Sequence, residues 1–178
     1  MGGSGCLQKW IKAIFIVYLL IVIRVIVFKY PYEQLYQIAQ TWRQDVILEG
    51  LGTANFIPFK TIRMYIRYAH KLNSFENLAG NILVFMPFGI LFPMLAGRRW
   101  QFLKVLSGAF LLALGIELFQ LVSAFGAFDV DDILLNCIGA VTGCLVYKAF
   151  GKFRAVILGA REKEKVEEKE YGAYFEEN

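Results

Sequence analysis

The chain has 178 residues, 57% of them hydrophobic, and a formal net charge of +4, which is too apolar for an ordinary soluble domain. Its apolar residues gather into four runs, each near the roughly 20 helical residues that cross a hydrocarbon core of about 30 Å. The runs are apolar all round, which excludes a β-barrel with its alternating strands, and no nucleic-acid partner is expected. The expected fold is therefore all-α: an integral membrane bundle of four transmembrane helices at 10–28, 78–95, 103–124 and 133–150. Residues 1–158 form the membrane domain and 159–178 a charged tail.

The leader Met1-Gly-Gly-Ser-Gly-Cys6 has no apolar region before Cys6, so it does not read as a lipoprotein signal. A myristoylation pattern would want Ser or Thr where Cys6 stands. The first run lacks a small-residue cleavage site and ends in basic and aromatic residues, which predicts a retained helix. Arg24 falls near its far end, placed to snorkel to head groups as an anchor or to serve as a functional cation. Residues 29–76 are more than a linker. Leu35, Ile38, Ala39 and Trp42 form a helical stripe, which Gly50 and Gly52 should end. Aromatics interleaved with Lys60, Arg63 and Arg67 then suit a segment lying on the membrane surface, or one that contacts an anionic or lipid-linked ligand.

Asn73-Ser-Phe-Glu76 has the form of a helix N-cap with an acidic residue three positions on. In the helix that follows, Asn77 and Asn81 share a face, while Pro87 and Pro93 predict a kink or break near Met86-Pro-Phe-Gly89. The third run carries Glu117 and Gln120, three apart on one face. An acid at such depth costs roughly 2.5–3.5 kcal/mol on insertion scales, so it is either functional or part of a buried structural pairing. The fourth run opens on Asp129-Val-Asp-Asp132. Asp132, Asn136, Gly139 and Gly143 follow at helical spacing, and Gly139 to Gly143 is a GxxxG pattern that admits a close helix neighbour. Asp131 is suited to capping this helix, but capping does not account for three aspartates and Asn136 together. Cys137 and Cys144 lie seven apart on one helix, about 10 Å, beyond disulfide reach. The tail from Gly159 carries charge of both signs and reads as solvated.

Short basic loops stay cytoplasmic. Arg98 and Arg99 join the second and third runs, Lys148, Lys152 and Arg154 follow the fourth, and Lys9 and Lys12 precede the first. The acidic loop before the fourth run has no Lys or Arg. Both termini are therefore expected in the cytoplasm, with the acidic loop and the 29–76 segment outside. On that topology three helices bring polar residues to one depth. Asn77, Asn81, Gln120, Asp129, Asp131 and Asn136, with Glu117 and Asp132, would line an outward-facing acidic pocket. Lys60, Arg63 and Arg67 would offset part of its charge. Such a pocket suits a divalent cation, acid–base chemistry with Glu117 and Asp132 as catalytic groups, or a bound polar head group. His70 is the lone histidine, which argues against a His-based triad.

Four strings also carry a family resemblance: Asn55-Phe-Ile-Pro-Phe-Lys60, Glu76-Asn-Leu-Ala-Gly-Asn-Ile-Leu-Val-Phe-Met-Pro-Phe-Gly89, Gly115-Ile-Glu-Leu-Phe-Gln120, and Phe128-Asp-Val-Asp-Asp-Ile-Leu-Leu-Asn-Cys-Ile-Gly-Ala-Val-Thr-Gly143. In their order they resemble the VanZ-like family, from about Asn55 to Tyr147. The resemblance implies a multi-pass protein of the bacterial cytoplasmic membrane. It implies low-level resistance to the glycopeptide teicoplanin, without the altered cell-wall precursors that protect against vancomycin. The partners it implies are membrane lipid and a lipid-linked cell-wall precursor or lipoglycopeptide. One departure is visible: family members often carry an Arg shortly before the Phe-Asp pair, where this chain has Ser123-Ala-Phe-Gly-Ala-Phe128. Alternatives from the residues alone are a membrane enzyme that modifies an envelope lipid, and a structural subunit docking through the Gly139–Gly143 face.

Overall fold

The computed structural model describes residues 3–27, 31–43, 45–68, 72–96 and 101–176, and all statements of structure below concern these. His70, Arg98 and Arg99 lie outside them. Seven α-helices follow one another: α1 (Gly3–Val22), α2 (Tyr32–Thr41), α3 (Asp45–Thr53), α4 (Lys60–Arg67), α5 (Leu72–Ala96), α6 (Gln101–Ser123) and α7 (Val130–Glu176). A π-helical turn, Ile23–Val27, extends α1. The fold is all-α among the described residues, apart from one parallel bridge between Asn55 and Asp129.

Three helical stretches are long and apolar enough to cross a membrane: Glu76–Ala96, Phe102–Ser123 and Val130–Gly159. They correspond to the second, third and fourth expected runs. The first run, 10–28, is divided between α1 and the π-helical turn, with Arg24 exposed inside that turn. Two compact units are formed, Met1–Cys144 and Leu145–Asn178. The first holds the core.

That core is built from one face of each long helix. Phe85 and Phe88 of α5, Val105, Ala109, Ala113 and Ile116 of α6, and Ile133, Ala140 and Cys144 of α7 are buried together with Val22 of α1. Phe15 of α1 packs its ring against Phe88 and Phe92 of α5 at centroid distances of 5.6 and 5.9 Å. Small residues let the helices approach. A Cβ added to Gly139 or Gly143 would collide with the carbonyl oxygens of Ile82 and Met86, and one on Gly89 with that of Ala140. α5 and α7 therefore run in the same direction with their backbones in contact. The GxxxG pattern is consumed inside the chain, so it is not a free docking face.

Helix α5 is continuous through Pro87 and Pro93, against the expected break. A proline inside a membrane helix is tolerated where neighbours re-satisfy the loosened backbone. Pro87 leaves the Leu83 carbonyl without its helical donor, and at the adjacent Val84 carbonyl the Tyr18 hydroxyl of α1 donates at 2.8 Å. The same helix begins at Leu72, so Asn73 stands inside its first turn rather than ahead of it. Gly50 and Gly52 do not end their helix either. α3 includes both, and at Gly50 the missing Cβ leaves room for Leu121 of α6. The Trp42 indole N–H donates to the Val122 carbonyl at 2.8 Å. The segment between α1 and α5 is thus laid against the end of α6.

Candidate functional site

The candidate site sits where α7 begins, and its frame is a clamp between that point and the segment 55–62. Two backbone bonds make the parallel bridge: the Asn55 N–H donates to Phe128 O at 2.8 Å, and the Val130 N–H to Asn55 O at 3.0 Å. The Asn55 side chain accepts the Ile57 N–H at 3.1 Å, closing a tight local turn. Its amide nitrogen donates to Asp129 Oδ1 at 2.8 Å and Thr61 Oγ1 at 3.1 Å. Thr61 in turn donates its hydroxyl to Asp129 Oδ2 at 2.6 Å.

Asp129 is the N-cap of α7. Its Oδ1 accepts the Asp131 N–H at 2.8 Å, the second residue of the helix, as an aspartate cap does. Asp131 has a different task. It is fully buried and accepts three backbone N–H groups, from Phe59, Thr61 and Ile62, at 2.5, 2.7 and 3.1 Å. Those groups are the open N-terminus of α4, whose preceding residue Phe59 supplies no cap of its own. Asp131 therefore caps α4 from a distant part of the chain and meets the positive end of that helix, rather than capping α7.

Glu117 and Gln120 complete the frame from α6. Both are buried. Glu117 Oε2 accepts the Asp129 N–H at 2.9 Å, and Gln120 donates its amide to the Ile26 carbonyl at 3.2 Å. Ile26 lies in the π-helical turn, where the usual helical bond pattern is interrupted and carbonyls need outside donors. Gly126 makes room for the Gln120 side chain, which a Cβ there would touch.

Beneath α4 a second group of polar residues follows the face of α7 that meets α5. Asp132 Oδ1 accepts the Asn81 amide at 2.7 Å. Asn136 comes one turn later, three residues before Gly139, whose backbone lies against Ile82. It is 1% exposed, and its Oδ1 has no hydrogen-bond partner. Tyr65 of α4 faces the same aspartates. Burial first, then the Asp132 and Asp129 carboxylates, hold its phenol above its ordinary value of 10.0.

The expected site residues thus separate into three sets. Asp129, Asp131, Glu117 and Gln120 form the frame, while Asn81 bonds Asp132, which lies near Tyr65, and Asn136 follows one helical turn on along α7. Lys60, Arg63 and Arg67 are exposed on the side of α4 opposite Thr61 and Tyr65, so they point away from the carboxylates. Asn77 is exposed as well. For a divalent cation the donors fit poorly. Asp129 and Asp131 already accept N–H and O–H groups of 55–62, and among the described residues no group of three or more acidic, His or Cys side chains gathers to hold a metal. Thr61 and Tyr65 were not foreseen as site residues. Their spacing of four, with the charged residues on the other side of the helix, was the available signal.

Residues 15–151 match the family described as VanZ/LLP1, which takes in the end of α1, the clamp, two of the membrane-crossing stretches and most of the third. The chain belongs to the VanZ-like family. A curated relative, Protein VanZ of Enterococcus faecium, is 30% identical over 74 residues. That match covers 42% of this chain and 45% of the relative, so it spans less than half of the length of that VanZ protein. No solved structure matches the chain. In this VanZ-like chain the acidic motif at 129–132 is therefore mainly a joint. Two of its three aspartates hold the 55–62 segment, and one turns to the Asn81–Asn136 side.

Proposed function

We propose that this VanZ-like protein confers low-level teicoplanin resistance by binding a lipid-linked or lipid-tailed envelope molecule at the Asn81, Asp132 and Asn136 group beneath Tyr65. In this reading it is a multi-pass protein of the bacterial cytoplasmic membrane. Residues 10–28 add a fourth span, both termini are cytoplasmic, and the 29–76 segment covers the site from outside.

The observation that carries the reading is Asn136. A buried amide oxygen without a donor costs about 1–3 kcal/mol, and more where no water reaches. A leucine of similar size would avoid that cost in an apolar helix interface. A ligand that brings a hydroxyl or amine to this point would satisfy the oxygen, with the Asp132 carboxylate one turn above. Family membership supports the resistance role, and teicoplanin's acyl chain suits a target at the membrane. The metal-dependent form of an enzyme reading finds no converging donor set, and the subunit reading loses the glycine face it required.

Drug susceptibility of a sensitive Gram-positive host tests the proposal. The host carries wild type, Asn136→Leu, Asp132→Asn or Glu117→Gln at matched membrane levels. Wild type is expected to raise the inhibitory concentration of teicoplanin and leave that of vancomycin unchanged. Asn136→Leu and Asp132→Asn are expected to abolish the effect. Glu117→Gln keeps an acceptor for the Asp129 N–H and is expected to lose less. Full protection by the Asn136 and Asp132 variants would make the group structural and end the binding reading.

A further inference from the structure

The outward side of α4 has a chemistry that the site beneath it does not use. Lys60, Arg63 and Arg67 fall at positions i, i+3 and i+7, which makes one basic stripe along two helical turns. All three are exposed, and Met64 stands exposed among them. At the amino end of the helix, Phe56, Ile57 and Phe59 present their side chains outward, at 55, 62 and 53% exposure. Apolar and basic side chains on one open surface are what an element lying at head-group level displays.

The depth of α4 is set by its bonds. Asp131, which accepts three N–H groups from the first turn of α4 and the residue before it, belongs to the first turn of the stretch Val130–Gly159 that is able to cross a membrane. The helix is therefore held at the level where that stretch enters the membrane. There the lipid phosphates lie, and Asp131 already occupies the amino end of α4. An anion is left with the stripe along the side of the helix.

We propose that α4 is a docking surface for anionic phospholipid head groups, with Lys60, Arg63 and Arg67 contacting the phosphates and the Phe56–Phe59 turn seated among the acyl chains. Each basic side chain near an anionic surface favours it by roughly fivefold. The surface is independent of the Asn81–Asn136 site, which faces the other way and needs none of the three cations. Its role is to hold the cover of that site against lipid.

Native mass spectrometry of the purified full chain in a neutral detergent tests this. The chain is titrated with phosphatidylglycerol or with phosphatidylcholine of the same acyl chains. Wild type is expected to bind phosphatidylglycerol more tightly. The variant Arg63→Gln/Arg67→Gln is expected to lose about 25-fold of that preference. The matched variant Lys152→Gln/Arg154→Gln, which removes the same charge near the far end of the stretch Val130–Gly159, is expected to change it less than about twofold. Both pairs are exposed, so folding is not at stake. Equal binding of the two lipids by wild type, or equal losses in the two variants, would overturn the proposal. So would full competition by soluble glycerol 3-phosphate, because the surface would then recognise a free phosphate rather than a lipid.

Discussion

Asp131 is completely buried, and the groups it satisfies belong to residues some 70 positions earlier in the chain. Its partners are backbone N–H groups, so the bond set depends on a carboxylate with two acceptor oxygens. Asp131→Asn keeps the size and removes one acceptor, turning an NH2 group toward backbone donors. It is expected to cost about 2–3 kcal/mol, read as a lower melting temperature in detergent, with Asp131→Ala at least as damaging. A melting temperature unchanged by Asp131→Asn would show that the clamp does not hold α4. In the sequence, Asp129 at the start of an apolar run is recognisable as a cap. The task of Asp131 is not, because nothing local to 129–132 says which distant N–H groups will arrive.

At the scale of the helices, contact between α5 and α7 rests on positions that admit no side chain. Gly143→Leu would drive a side chain into the Met86 carbonyl and is expected to destabilise by about 3 kcal/mol or more, with loss of folded protein in size-exclusion chromatography. Gly115 of α6 has open space where its Cβ would be. Gly115→Ala is expected to be neutral or to stabilise by about 0.5–1 kcal/mol, since alanine fixes a helix better than glycine. Equal damage from both changes would show that the loss has nothing to do with helix approach. The GxxxG spacing announced a close neighbour. That the neighbour is α5 of the same chain follows from matching surfaces, which periodicity does not reveal. The two prolines show the reverse case. Local rules predict a kink or a break, yet α5 runs on through both, packed against α1 and α7.

For the whole molecule, the proposed arrangement of four spans with both ends cytoplasmic is open to a direct test. Single-cysteine proteins are labelled in intact cells with a membrane-impermeant maleimide. The three are the native Cys6 alone, and Gln37→Cys and Lys169→Cys in a chain lacking Cys6, Cys137 and Cys144. Gln37→Cys is expected to react in intact cells, and Cys6 and Lys169→Cys only after lysis. Reaction of Cys6 in intact cells would remove the first span, and a reversed pattern at Gln37 and Lys169 would invert the protein.

Composition and periodicity by themselves determined that this chain is helical and which face of its apolar runs carries the polar residues; of the four runs expected to span, the structure makes three long and apolar enough to cross a membrane. Those properties are local, set by side-chain transfer and the 3.6-residue turn. Motif order was enough to place the chain in its family. Tertiary structure alone decided how the shared polar residues divide their work. Hydrogen bonds are directional and short, so a carboxylate serves whichever donor packing brings within about 3 Å. Packing brought the α4 amino end to Asp131, the Asp129 N–H to Glu117 and the Asn81 amide to Asp132. It left Asn136 with an unmet acceptor, and it turned Lys60, Arg63 and Arg67 away from the acids they had been expected to neutralise.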